Sequence, residues 1–263
     1  MVSSSGVSEQ TYPNSRTDND KIDTLRSWIK SSRPGRMVFL GGAGVSTESG
    51  IPDFRSPKGL YGRPYDYPYP PETMISHSFF ESHPREFFKF YCERMLFLDA
   101  KPNQAHKKLA ELERDGILRS VITQNIDGLH QAAGSEKVWE LHGSVWRNYC
   151  LDDHEYFSVE DLLVAHERAE DGVPRCSKGA IIKPDVVLYE EPLDQEILYG
   201  AIEDIRQSDL MIIAGTSLSV YPAAGLLDYF NGDHLVIVNK STTPQDAKAD
   251  LCINESVGSV FDF

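Results

Sequence analysis

Three stretches of this chain carry residue types at a spacing that could do chemistry. Gln124-Asn125-Ile126-Asp127-Gly128-Leu129-His130 follows directly on an expected strand, Ile117 to Thr123. Val138 to His142 repeats that pattern and ends in His142-Gly143-Ser144. The third stretch, residues 37 to 56, reads MVFLGGAGVSTESGIPDFRS. An amide, a carboxylate and an imidazole at strand ends can hold a polar ligand, and the imidazole can move a proton at neutral pH. Small residues at Gly41, Gly42, Ala43 and Gly44 let a backbone approach a ligand closely. If Val45 to Gly50 opens a helix, its N-terminal N–H groups would face an anion such as a phosphate. The glycine spacing is not G-x-G-x-x-G, so a tight strand-to-helix turn would also account for it. Asp53, Phe54 and Arg55 behind Pro52 then place an acid, an aromatic and a base in one loop.

These residues need strands to hold them. Met37 to Leu40 and Leu210 to Ala214 are short, wholly apolar runs, as expected of strands buried on both faces. Gly215-Thr216-Ser217-Leu218 follows the second, and Asn239 follows another strand at Leu235 to Val238. A last strand lies near Leu251 to Ile253. Helices are expected at residues 20 to 32, with Ile22, Leu25, Trp28 and Ile29 in a stripe, after Pro84, after Pro102, and at residues 193 to 207 and 223 to 230. Alternating strands and helices whose strand ends carry glycine, hydroxyls and amides imply an α/β fold. The expected form is a Rossmann-like doubly wound parallel sheet, with a ligand along its C-terminal edge. Its segments are residues 20–144 and 183–263. Residues 145–182 break the rhythm and read as a small inserted module. Residues 1–19 are polar and aperiodic, a flexible tail. The proline- and tyrosine-rich residues 57–78 would form a lid beside the site.

Lys plus Arg is 26 against Asp plus Glu 40, a net charge of −14. So acidic a surface argues against nucleic acid or an anionic membrane as the main partner. No apolar run is long enough to span a bilayer, and the N-terminus lacks a charged-then-apolar signal pattern. Cys92, Cys150, Cys176 and Cys252 do not suggest a disulfide framework in a chain this size. The expected compartment is the cytoplasm.

Taken as GAGVSTESGIPDFR, the glycine stretch resembles the signature of the sirtuins, the NAD-dependent protein deacylases. TQNIDGLH, LHGS, PDVVLYEE and GTSL occur in that family's order, and the resemblance covers roughly residues 21 to 263. It is strongest to bacterial members acting on acyl-lysine. It implies that Ala43, Gly44, Thr47, Phe54 and Arg55 bind NAD, with Gln124, Asn125, Ile126 and Asp127 holding the nicotinamide and its ribose. His142 is implied as general base, with Asn125 and Asp127 catalytic beside it. Thr216, Ser217, Asn239 and the backbone near Cys252 would hold the adenosine half. Val186 and Leu188 would line the acyl-lysine tunnel, and the 184–190 strand would pair with the peptide. Tyr91 and Arg94, three apart on one helix, resemble the pair found in sirtuins that remove succinyl or malonyl groups. Protein ADP-ribosyl transfer is the alternative reaction, and a non-catalytic NAD-sensing module the alternative class. The set Arg55, Asn125, Asp127 and His142 favours turnover.

The module departs from the family. Two CxxC pairs usually hold a structural zinc, but here only Cys150 and Cys176 remain of the four cysteines, leaving a degenerate zinc-ribbon-like segment. Asp153 and His154 complete four ligands only at a poor spacing. A metal-free module held by packing is the expectation, with no metal ligands assigned.

Overall fold

The computed structural model describes residues 17–54, 59 and 67–263. Its strands are β1 (Met37–Gly41), β2 (Leu118–Thr123), β3 (Val138–Glu140), β4 (Gly143–Cys150), β5 (Tyr156–Ser158), β6 (Ile182–Val186), β7 (Leu210–Ala214), β8 (His234–Val238) and β9 (Leu251–Ile253). Six form a parallel sheet in the order β3-β2-β1-β7-β8-β9. The chain builds outward from β1 to β3, then returns to β7 on the other side of β1 and builds outward again. That reversal sets a crevice at the carboxyl ends of β1 and β7, where open α/β sheets bind ligands. Every residue of β1 and β7 is buried, as their unbroken apolar runs require.

The helices are α1 (Asp18–Ser31), α2 (Pro71–Met74), α3 (His77–Ser82), α4 (Pro84–Arg94), α5 (Gln104–Arg114), α6 (Leu129–Ala133), α7 (Val159–Arg168), α8 (Gln195–Arg206) and α9 (Val257–Val260). Leu25 and Ile29 of α1, Leu109 and Leu112 of α5, and Val257 and Val260 of α9 cover one face of the sheet, against Phe39, Val121 and Ile212. On the other face, Ala201, Ile202 and Ile205 of α8 pack against Val38, Leu40 and Ile213. A third cluster joins the aromatics of α3 and α4 to Val145, Cys150, Ile182, Val186 and Leu188.

Several sequence expectations shift. Thr17 caps α1 through a reciprocal bond pair with Asp20, so order begins before the expected end of the tail, whose residues 1–16 lie outside the described residues. Of the expected lid, residues 57–58 and 60–66 lie outside them too. Residues 71–74 and the start of α3 are helical within its remainder. Residues 45–50 do not open an α-helix. They form two single 3₁₀ turns, Ala43–Val45 and Thr47–Ser49, closed by Gly50 at φ 86°. The segment 184–190 is not a strand of the main sheet: β6 starts at Ile182, ends at Val186 and pairs antiparallel with β4. The second sheet, β5-β4-β6, therefore runs from Gly143 to Val186, wider than residues 145–182. Within it, Ser158 and Asp161 form a capping box that starts α7, a helix not expected in the stretch that breaks the rhythm. That helix buries only Val159 and Leu162, too short a stripe to show as a period. Arg147 joins the two sheets, with Nη1 donating to Glu140 of β3 at 2.6 Å and Nε to Asp185 of β6 at 2.8 Å.

His106 of α5 and His130 of α6 meet with ring centroids 4.7 Å apart. Neither nitrogen of His130, nor Nε2 of His106, has a hydrogen-bond partner among the described residues. Burial lowers His106 to about 4, and burial with His106 beside it holds His130 well below the ordinary imidazole value. Both are neutral in the folded chain. As pH falls below about 6.5 the unfolded chain takes up protons that the folded one refuses, so stability drops with pH down to about 4. Urea unfolding from pH 7.5 to 4.5 should show this loss, of roughly 3 kcal/mol for His106 alone, and His106→Gln should make the slope shallower.

Candidate active site

The crevice at the β1/β7 switch point opens into a cleft of about 1030 Å³. Its floor is two turns pressed together. A Cβ on Gly44 would lie 2.6 Å from Cα of Gly215, and one on Gly42 2.7 Å from Cβ of Thr216. Neither residue has room for a side chain. The Gly42 and Gly44 N–H groups donate to the carbonyls of Ala214 and Gly215, at 3.0 and 2.8 Å. These two donors are spent on holding the two turns together.

The loop after β2 crosses over this turn. Gln124 N–H donates to the Gly41 carbonyl at 3.0 Å, and its side-chain amide donates to Thr216 Oγ1 at 3.1 Å. Ser46, 1% exposed, is the hub of the next contacts. Its Oγ accepts from Asn125 Nδ2 at 3.0 Å and donates to Asp127 Oδ2 at 2.6 Å. Asp127 Oδ1 accepts the Leu129 N–H at 2.9 Å, the start of α6. Burial raises the Asp127 carboxyl above its usual range, while the bonds from Ser46 and Leu129 pull it back. Trp146 Nε1 donates to the Asp127 carbonyl at 2.8 Å and lies against Gly128, closing the loop from outside. Ser46 and Trp146 were not singled out in the sequence. Ser46 was inside the glycine stretch, but nothing in spacing alone points its hydroxyl across to Asp127.

His142 leaves β3 just before β4 begins. Its Nδ1 lies 3.0 Å from the Gln124 carbonyl, which can only accept, so Nδ1 carries the proton and Nε2 is left as the acceptor. Burial lowers its pKa, opposed in part by that bond. The His142 carbonyl accepts the Val187 N–H at 3.0 Å, which ties the imidazole's own residue to the end of β6. Gly143, at φ 75°, permits the turn; a Cβ there would meet the Asp185 carbonyl at 1.9 Å.

Ala43, Gly44, Thr47, Phe54, Gln124, Asn125, Ile126, Asp127, His142, Thr216, Ser217 and Asn239 all line this one cleft, with Tyr91, Arg94, Val186 and Leu188 along its far wall. Arg55 lies outside the described residues. Cys252 is the exception among the rest. It is not in the cleft wall; its thiol faces the Asp246 carbonyl at 3.6 Å and packs beside the α8 cluster. The wall at that end comes from Glu255, Ser256 and Val257, since β9 ends before the crevice. Glu48 braces this end, its carboxylate accepting from Ser256 Oγ at 2.8 Å and Gly258 N–H at 2.7 Å.

A family model described as the Sir2 family matches residues 42–222. The chain belongs to that family. Among curated Sir2 relatives, an NAD-dependent protein deacetylase of Clostridium perfringens is 55% identical over 92% of this chain and 97% of its own. One of the same description from Cutibacterium acnes is 50% identical over 90% and 94%. Solved Sir2 structures superpose closely. A complex with a deacetylated p53 peptide and 3'-O-acetyl ADP ribose gives a TM-score of 0.83 at 42% identity, over 91% of this chain and 95% of that one. A complex with a p53 peptide and NAD+ gives 0.80 at 41%, over 91% and 95%. One bound to a propionylated peptide gives 0.81 at 41%, over 92% and 95%.

In this Sir2 chain the hub hydroxyl can be tested directly. Ser46→Ala leaves a buried carboxylate oxygen and an amide N–H without their partner, a loss of roughly 1–3 kcal/mol. Thermal melts should show that destabilisation, and NAD titration should show weaker binding than in the parent.

Proposed function

We infer that this protein is an NAD-dependent protein deacetylase. The observation that carries the reading is the convergence of His142, Asn125, Asp127 and the glycine turn on one cleft, in a chain 55% identical to an enzyme of that description. The cleft suits a dinucleotide: it runs from the β1/β7 crevice to the far wall, and its polar groups sit at strand ends. Bound there, NAD would supply a glycosidic bond to nicotinamide, whose cleavage gives the acyl group an acceptor. Ala43, Gly44, Thr47 and Phe54 would hold it at the turn, with Arg55 nearby in sequence. Thr216, Ser217 and Asn239 would hold its adenosine half. Asn125 and Asp127, pinned through Ser46, orient the carboxamide and water. Val186 and Leu188 flank the acyl-lysine, while the extended backbone beyond β6 pairs with the peptide.

His142 is suited to general-base work. Its Nδ1–H is fixed on the Gln124 carbonyl, so Nε2 presents its lone pair and can take a proton from a hydroxyl. Burial keeps the ring neutral at neutral pH. The rate is therefore full above the imidazole's lowered pKa and falls as pH drops through it. A kcat profile should place the acid limb below about 6.5, the ordinary value, and His142→Ala should remove it along with roughly 10²–10⁴-fold of the rate.

The reading extends to acyl groups with a terminal carboxylate. Tyr91 is 1% exposed, its hydroxyl has no hydrogen-bond partner among the described residues, and it shares the cleft wall with Arg94. A guanidinium and a phenol together can grip a carboxylate at three points. Arg94→Met should abolish desuccinylation and spare deacetylation; equal loss of both would remove the assignment. The primary test is incubation with NAD and an acetyl-lysine peptide. Free lysine with nicotinamide supports deacylation, ADP-ribosylated protein supports transfer, and an unchanged mixture supports a binding module. Acyl-lysine proteins are the partners this reading names, rather than nucleic acid or membrane. Among the described residues no helix is long and apolar enough to cross a membrane. A cytoplasmic site of action is supported by the acidic composition. The module is read as metal-free.

A further inference from the structure

The small sheet holds a pair of thiols that the deacylation reading does not use. Cys150 ends β4, and Cys176 sits in the turn before β6. Their sulfurs are 3.0 Å apart, with exposures of 0% and 7%. Both backbones are pinned. Cys150 N–H donates to the Glu155 carbonyl and its own carbonyl accepts from His154, while Cys176 exchanges bonds with Ala180 and Gly179. The thiols are thus held facing each other rather than swinging on mobile loops.

A metal does not fit this donor set. Two thiolates on one tetrahedral zinc lie about 3.8 Å apart, given Zn–S bonds of about 2.3 Å. This pair is closer than that. Asp153 lies beside the Cys150 thiol but is held by Lys178 and the Glu155 N–H, and His154 is turned out to solvent. No group of three or more His, Cys, Asp or Glu residues suited to a metal gathers among the described residues. The distance is one from which a sulfur–sulfur bond of about 2.05 Å closes by a small movement.

We propose that Cys150 and Cys176 form a reversible disulfide, the covalent clip of this module, made by exchange with a small-molecule disulfide. The Cys150 thiol donates its hydrogen bond to Cys176 Sγ, which favours the thiolate at Cys176. Cys176, the less buried of the two, attacks one sulfur of the small disulfide and expels one small thiolate. Cys150, deprotonated, then attacks Cys176 Sγ and expels the second. The two protein thiols lose two electrons, the small disulfide gains them, and the two protons end on the small thiols. The clip closes a loop between residues 26 apart that contains β5 and α7. β6 carries its effect from that loop toward Val186 and Leu188 on the cleft wall. The proposal does not depend on which acyl group the cleft accepts.

The test uses the full chain, incubated with oxidised glutathione and compared with the dithiothreitol-reduced form. Intact mass should fall by two hydrogen atoms, and peptide mapping should link Cys150 to Cys176. The melting temperature should rise by roughly 5–10 °C, the scale of a loop closure of this length, and return on reduction. Cys150→Ser and Cys176→Ser should each abolish the shift. The mass measurement on the parent chain decides the matter even if those variants fold poorly. A glutathione adduct that persists at Cys176 without cross-linking, both thiols still open to alkylation, or one equivalent of zinc purifying with the chain and shielding them would each overturn the proposal.

Discussion

Everything in this molecule's site rests on the contact between the turns after β1 and β7. Gly44 and Gly215 touch where any side chain would intrude, and the N–H groups of Gly42 and Gly44 are consumed in holding the two turns together. That contact joins the two halves of the sheet at the switch point. It sets the height of Ser46, and Ser46 in turn sets Asn125 and Asp127. A rigid floor of backbone lets three polar side chains sit at fixed positions in a cleft whose walls come from loops.

The small sheet contributes through Arg147, not through packing alone. One guanidinium reaches Glu140 beside His142 and Asp185 at the root of the cleft wall formed by Val186 and Leu188. The imidazole and the wall are therefore positioned by the same group. The backbone bond from Val187 to His142 repeats the link. The imidazole and the 186–188 wall cannot drift apart without breaking both.

Much of this was legible in the sequence. Unbroken apolar runs marked β1 and β7, because strands buried on both faces cannot alternate. Polar residues placed at the ends of expected strands marked Gln124 to Asp127 and His142. Other features were not legible, for stated physical reasons. Residues 45–50 look like a helix start, but the demand for Ser46 to reach Asp127 breaks them into two 3₁₀ turns. PDVVLYEE looks like one more buried strand, but its pairing with β4 is a tertiary fact that periodicity does not carry. Cys252 lies within a strand of the same sheet, yet β9 stops short of the crevice. Trp146 shows no pattern; its indole finds Asp127 only once the loop has folded.

The Glu48 brace carries a consequence for the order in which this chain is assembled. Glu48 belongs to the turn that opens the cleft, but its partners Ser256 and Gly258 lie 208 and 210 residues further on. β7, which seats the same turn, also arrives late. During synthesis the nascent N-terminal half can close, within this sheet, only the pairings of β1 with β2 and of β2 with β3. The cleft is then among the last regions to solidify, and a nascent chain lacks a complete cleft until nearly all of it has emerged.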